Sequence, residues 1–141
     1  MKFQHILVPV DIEHSISWKQ SITVAVEMAR TFNAKLTIAT VVRDIESIFK
    51  SYFPPGYTWM HERVERELRG IVESLVPADL QPALEIGHGS IAREVVRIAR
   101  DTQVDLIVLA AHRPEIKDYL LGTHAAAIVR HAPCSVFVVR D

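Results

Sequence analysis

Asp105-Leu106-Ile107-Val108-Leu109-Ala110 is an unbroken apolar run led in by an acid. Such a run predicts a short strand buried on both faces, as in a parallel sheet covered by helices on either side. Upstream of it, Ala92, Val95, Ile98 and Ala99 recur at helical spacing and predict a helix with that face turned inward. Downstream, a loop over 112–121 reaches Gly122-Thr123, a helix runs to about residue 131, and Pro133 stops it. Ser135-Val136-Phe137-Val138-Val139 supplies a last strand.

The same alternation extends back to the start of the chain. His5-Ile6-Leu7-Val8-Pro9-Val10 reads as another doubly buried strand, ending at Asp11. Ser17 is the expected cap of a helix whose apolar face is Ile22, Ala25, Val26 and Ala29. A strand over 35–42 follows, made less uniformly apolar by Thr37 and Thr40. Over 43–59 the pattern degrades: Ile48, Phe49, Tyr52, Phe53, Tyr57 and Trp59 surround Pro54-Pro55-Gly56, a triplet expected to interrupt regular structure. A helix over 60–75 then presents Val64, Leu68, Ile71, Val72 and Leu75. Its outer face carries the i, i+4 pairs Glu62–Arg66 and Glu65–Arg69, each worth about 0.2–0.5 kcal/mol. Pro77 closes that helix, 82–86 reads as a strand, and Gly87-His88-Gly89-Ser90 turns the chain into the next helix.

Strands alternating with helices in this way predict one α/β domain over 1–141, a three-layer α/β/α sandwich around a five-stranded, mostly parallel, Rossmann-like sheet. Ligands in such sheets lie outside the carboxyl ends of the strands, where the strand order reverses. The 16 basic and 17 acidic side chains nearly cancel, which gives no electrostatic reason to expect a nucleic-acid partner or a membrane-bound surface. No segment reaches about 18 uninterrupted apolar residues, so membrane insertion is not expected, and the opening apolar run is too short for a signal-peptide core. Cys134 stands alone, so no disulfide can form within the chain; a reducing, cytoplasmic compartment is the natural expectation.

Three places at the predicted ligand edge carry chemistry. Gly122-Thr123 puts a close backbone approach and a hydroxyl at the start of a helix, where free N–H groups bind anions; the plainer reading is a loop–helix junction capped by Thr123. Asp11 is placed to accept hydrogen bonds from a sugar hydroxyl, or to cap a local turn. His112, Arg113 and Lys117 are suited to neutralising phosphates, Arg113 with the better geometry, or are ordinary loop residues. Neither a G-x-G-x-x-G dinucleotide signature nor a G-x-x-x-x-G-K-[ST] phosphate loop occurs. The seven histidines form no zinc pattern: His131-x-x-Cys134 offers two ligands where a closed site needs four. The aromatic segment 49–59 covers a ligand or an interface on one reading and simply packs over the sheet edge on the other.

These segments together resemble the universal stress protein family. Ile6-Leu7-Val8-Pro9-Val10-Asp11 is similar to its opening strand. Asp105-Leu106-Ile107-Val108-Leu109-Ala110, Leu120-Leu121-Gly122-Thr123 and Ala132-Pro133-Cys134-Ser135-Val136-Phe137-Val138-Val139 are similar to its second half. Ala111-His112-Arg113-Pro114-Glu115 and the residues beyond it most resemble the F-type branch of small bacterial members. The resemblance implies an adenine nucleotide alpha hydrolase-like fold and, in many members, ATP binding through G-x2-G-x9-G-[ST]. Here Ala110 and Arg113 take the places of the first two glycines, the interval to Gly122 is one residue shorter than in the pattern, and Gly122-Thr123 keeps its end. By resemblance, Pro9, Val10 and Asp11 flank adenine and ribose, and Val41 offers backbone contacts to the base. Ala110 passes under the ribose, while His112, Arg113, Gly122, Thr123, His124 and Ala125 surround the phosphates. The resemblance also implies a homodimer through the C-terminal strand.

Three functions fit these residues: a stress-response protein whose ATP occupancy biases its shape or partners, a slow ATP hydrolase, and a nucleotide-free dimeric scaffold. No dedicated general base is evident for the hydrolase, and Mg²⁺ could accompany ATP with Thr123 as a hydroxyl ligand.

Overall fold

The structure is a computed structural model that describes residues 2–12, 15–42, 54–111 and 122–140; the side chains of 15–17 and 54–60 are not described. Among the described residues the elements are, in chain order, β1 (His5–Pro9), α1 (Ser15–Phe32), β2 (Lys35–Val42), α2 (Pro54–Leu75), a 3-10 turn (Ala78–Leu80), β3 (Ala83–His88), α3 (Ile91–Asp101), β4 (Leu106–Ala110), α4 (Thr123–His131) and β5 (Ser135–Val139). The strands form one five-stranded sheet in the order β3-β2-β1-β4-β5, and every pairing is parallel.

Side chains alternate across each strand, and the two faces of the sheet bury different sets. Ile6 and Val8 of β1 join Ile22 and Ala25 of α1 and Leu68 and Val72 of α2 in one core. Leu7, between them in sequence, joins Val95, Ile98 and Ala99 of α3 and Ile128 of α4 in the other. In β4, Leu106 and Val108 divide from Ile107 and Leu109 in the same way. This is why β1 and β4 are apolar at almost every position: each residue faces a helix layer on one side or the other.

The layers agree with the sequence expectation, while several boundaries move. Ser17 lies inside α1, which begins at Ser15, and so does not cap it. Pro54-Pro55-Gly56 opens α2 instead of interrupting structure. A proline in the first turn loses no helical hydrogen bond, because the N–H it lacks has no acceptor there, and its fixed φ suits the helix. On α2, Glu65–Arg69 forms as expected at 3.1 Å, and Arg63–Glu67 at 3.1 Å forms in place of Glu62–Arg66. β3 runs on through Gly87-His88, and the turn into α3 is reduced to Gly89, at φ 119, and Ser90. The reason is local: a Cβ at Gly87 would stand 3.0 Å from Glu94 Oε1, so glycine admits the carboxylate that accepts the His88 N–H at 3.1 Å.

A candidate ligand site at the carboxyl edge of the sheet

From β1 the chain winds outward through β2 to β3, then crosses back to lay β4 on the other side of β1. The strand order therefore reverses between β1 and β4, and helices start outward from that boundary in opposite directions. At their amino ends the two strands are firmly joined. Asp105 Oδ1 accepts the His5 N–H at 2.9 Å, its Oδ2 accepts the Gln4 N–H at 2.9 Å, and the Asp105 N–H donates to His5 O at 3.0 Å. The β1–β4 ladder then covers only Ile6↔Leu106 and Leu7↔Ile107, whereas β1 pairs with β2 as far as Pro9↔Ala39.

Bond direction explains the early end. The Val10 N–H donates to Ala39 O of β2 at 2.7 Å, and His5 turns both its N–H and its carbonyl toward Asp105. Backbone groups of successive strand residues alternate between the two neighbours, so residue 9 faces β4. It is a proline and has no proton to give. The pair is thus left open on its carboxyl side, where Val10 and Asp11 leave β1 and Ala111 leaves β4.

Each side of this opening is anchored. The indole N–H of the buried Trp18 donates to Asp11 O at 2.6 Å, tying the exit of β1 to α1. The Ala111 N–H donates to Val139 O at 3.0 Å, extending the β4–β5 pairing one residue past β4. At the β2–β3 side, the Gly89 N–H donates to Val42 O at 2.8 Å. Glu94 lies below its ordinary pKa, chiefly because Arg97 donates to it and additionally because it accepts the His88 N–H, with its partial burial opposing both. It is therefore a fixed anion clamping the start of α3 to the end of β3.

The structure brings Pro9, Val10, Asp11, Val41 and Ala110 to one edge, with Gly122, Thr123, His124 and Ala125 at the start of α4, the helix that follows β4. Gly122 precedes α4 as its cap residue, at φ −58 and ψ 158, and Thr123 is the first helical residue without a capping hydrogen bond from a side chain. The reading of Thr123 as the cap is therefore corrected. The Ala126 N–H makes the first backbone bond of the helix, to Gly122 O at 2.9 Å, so the N–H groups of the turn before it have no helical carbonyl to meet. Ala125 is buried in the core shared with α3, so only its backbone can face the edge. His112, Arg113 and Lys117 lie outside the described residues, as does the aromatic segment before Pro54.

Two contributors are not among the residues that spacing points to. Trp18 and Glu94 act on backbone groups, and the available signals were slight: an aromatic one turn into the helix after Asp11, and an acid in the first turn after Gly89-Ser90. Among the described residues, no group of three or more His, Cys, Asp or Glu side chains is placed to hold a metal ion.

A parallel sheet opened at its order reversal, with a helix following from the strand beside the opening, defines a Rossmann-like α/β protein. Residues 2–140 match the model of the universal stress protein family, and the chain belongs to that family. Universal stress protein A homolog 1 of Coxiella burnetii is 30% identical over 99% of this chain and 97% of its own. Among solved structures, protein MJ0577 superimposes with a TM-score of 0.80 at 20% identity, over 100% of this chain and 98% of its own. The universal stress protein UspA of Lactobacillus plantarum gives 0.72 at 25% identity, over 99% of each chain. A universal stress protein solved in complex with cAMP gives 0.63 at 22% identity, over 99% of this chain and 98% of its own.

Proposed function

We propose that the chain is a cytoplasmic stress-response protein that binds ATP at the β1–β4 opening and whose occupancy biases its conformation or its partners. The observation that carries this reading is the unzipped carboxyl end of β1 and β4, held open beside Gly122-Thr123 at the start of α4. A fold relative in complex with cAMP supports the ligand class, an adenine nucleotide. In this arrangement Pro9, Val10 and Asp11 flank the base and ribose, and Asp11 accepts from a ribose hydroxyl. Val41 meets the base through its backbone, and Ala110 lies under the sugar. The phosphates lie at Gly122, Thr123, His124 and Ala125, where first-turn N–H groups and the helix dipole favour negative charge, with His112 and Arg113 supplying charge from the loop. Mg²⁺, if carried, is held mainly by the phosphates themselves, since Thr123 offers one hydroxyl and no acidic cluster stands among the described residues.

A ligand shifts a conformational equilibrium only through different affinities for the two states, so the regulatory role rests on that difference and not on hydrolysis. A slow ATP hydrolase needs a positioned water and a base. A nucleotide-free scaffold is the reading that Ala110 and Arg113 favour, because each replaces a glycine of the family's binding pattern. Mass identification of small molecules released from freshly purified, denatured protein separates these readings. Adenine nucleotide at about one per chain is expected, and a protein that carries none and takes up none on titration is the scaffold. G122V, checked for folding, is expected to weaken ATP at least tenfold, because the branched side chain fills the approach to the first-turn N–H groups. Identical titrations for variant and wild type remove α4 from the site.

A further inference from the structure

We propose that the groove between α3 and α4 is a docking site for an acidic helical segment of a partner protein. Arg93, Arg97 and Arg100 stand at i, i+4 and i+7 on α3 and share one face. With Ala127 and His131 of α4 they line a groove of about 600 Å³ whose surface includes Ala92 and Val96. Arg97 brings no surplus charge, since it is paired with Glu94 at 2.9 Å and with Asp101 at 3.1 Å. Those pairings use both acids of α3. Arg93 and Arg100 are exposed, and neither is joined to a carboxylate among the described residues. His131 adds a donor on the opposite wall.

The chain as a whole has a formal charge of −1, so this unmatched positive ridge is a local feature and not a reflection of composition. Seven residues along a helix rise about 10 Å, which separates the backbone positions of Arg93 and Arg100 along the groove. A partner helix with carboxylates at i and i+7 repeats that distance and can meet both, each accepting from a planar donor fork. Its residue at i+3 or i+4 faces the same way and settles on Ala92, Val96 and Ala127, whose small side chains leave room for an apolar anchor. A nucleic acid would supply the charge, but among the described residues no Phe, Tyr or Trp lines the groove for its bases to stack on. The inference stands apart from nucleotide binding.

Selection from a random peptide display library on the full chain, with R93E/R100E as counter-selection, tests it. Enriched peptides are expected to carry acids at i and i+7 around an apolar residue and to become helical when bound. They should bind R93E/R100E at least tenfold more weakly and weaken as salt rises. Ala127→Leu, which raises the floor without changing charge, is expected to weaken them too and guards against misfolding of the charge-reversed variant. The proposal is overturned if nothing is enriched, if enriched peptides lack acids, if they bind wild type and both folded variants equally, or if a single-stranded oligonucleotide displaces them.

Discussion

At the carboxyl end of β1 a missing proton separates two strands, while at the amino end the Asp105 carboxylate binds the same pair together. In P9A an N–H is restored on the side facing β4. The hydrogen bond it permits is worth about 0.5–1.5 kcal/mol, but losing proline frees the unfolded chain and costs about 0.4–1 kcal/mol. The two offset, so melting is a poor readout. Hydrogen exchange is the better one: the residue 9 amide of P9A is expected to be protected as β1 and β4 zip further, and ATP affinity to fall several-fold. A freely exchanging amide with unchanged affinity would show that the opening does not depend on Pro9. His5, at the other end of β1, bears on pH. Burial lowers its pKa below the ordinary 6.5, the Thr102 backbone contact partly opposes this, and its ring bonds Thr37 Oγ1 at 2.7 Å. Because the folded chain resists the proton that the unfolded chain takes, His5 contributes stability that is whole above about pH 6.5 and lost as pH falls toward its folded value. Denaturant melts across this range are expected to flatten in H5Q; an unchanged slope assigns the loss to other groups.

The helices and strands show which parts of the fold were legible. β1 and β4 could be read because burial on both faces leaves apolar residues at every position, and α3 because Val95, Ile98 and Ala99 keep a helical period. The start of α2 could not: Pro54-Pro55-Gly56 breaks a helix from within and begins one at its first turn, and only its position in the element separates the two. Nor could the last residues of β3, whose extension depends on Glu94 reaching across Gly87. The site divides in the same way. Asp11, Ala110 and Gly122 were placed by element order alone, since every strand exit of a parallel sheet lies at one edge. Trp18 and Glu94 required the fold, because the groups they hold are an Asp11 carbonyl and a His88 amide that carry no sequence signature. One substitution belongs at this scale. Gly70 lies on the exposed side of α2, and a Cβ there would meet nothing within 4 Å. G70A is expected to stabilise the protein by about 0.5–1 kcal/mol. Thermal or urea unfolding checks it, and a destabilised variant would mean that the position is covered in solution.

For the whole molecule, the edge of the sheet that bears on assembly is β5, whose outer side pairs with no strand among the described residues. It is the terminal strand next to β4, and Ser135–Val139 contains neither charge nor proline. Phe137 is 45% exposed, and Val129 on neighbouring α4 is 43% exposed. A bare apolar edge is a template for strand addition unless something covers it. We infer a homodimer in which two copies of β5 pair antiparallel about a twofold axis, which satisfies the edge and closes the assembly. Backbone direction makes the test specific. Val139 O accepts from Ala111 N–H, so residue 139 faces β4 and residue 138, one step back, faces outward. V138P therefore removes a donor from the open edge while leaving the β4–β5 ladder intact, at a position where sheets tolerate proline. Each dimer loses two donors, worth about 0.5–1.5 kcal/mol apiece, and the two rings obstruct the approaching strand. Sedimentation at micromolar concentration is expected to show a wild-type dimer and a V138P monomer with unchanged far-ultraviolet dichroism. A wild-type monomer rules the dimer out, and a V138P dimer of undiminished stability moves the interface to another face.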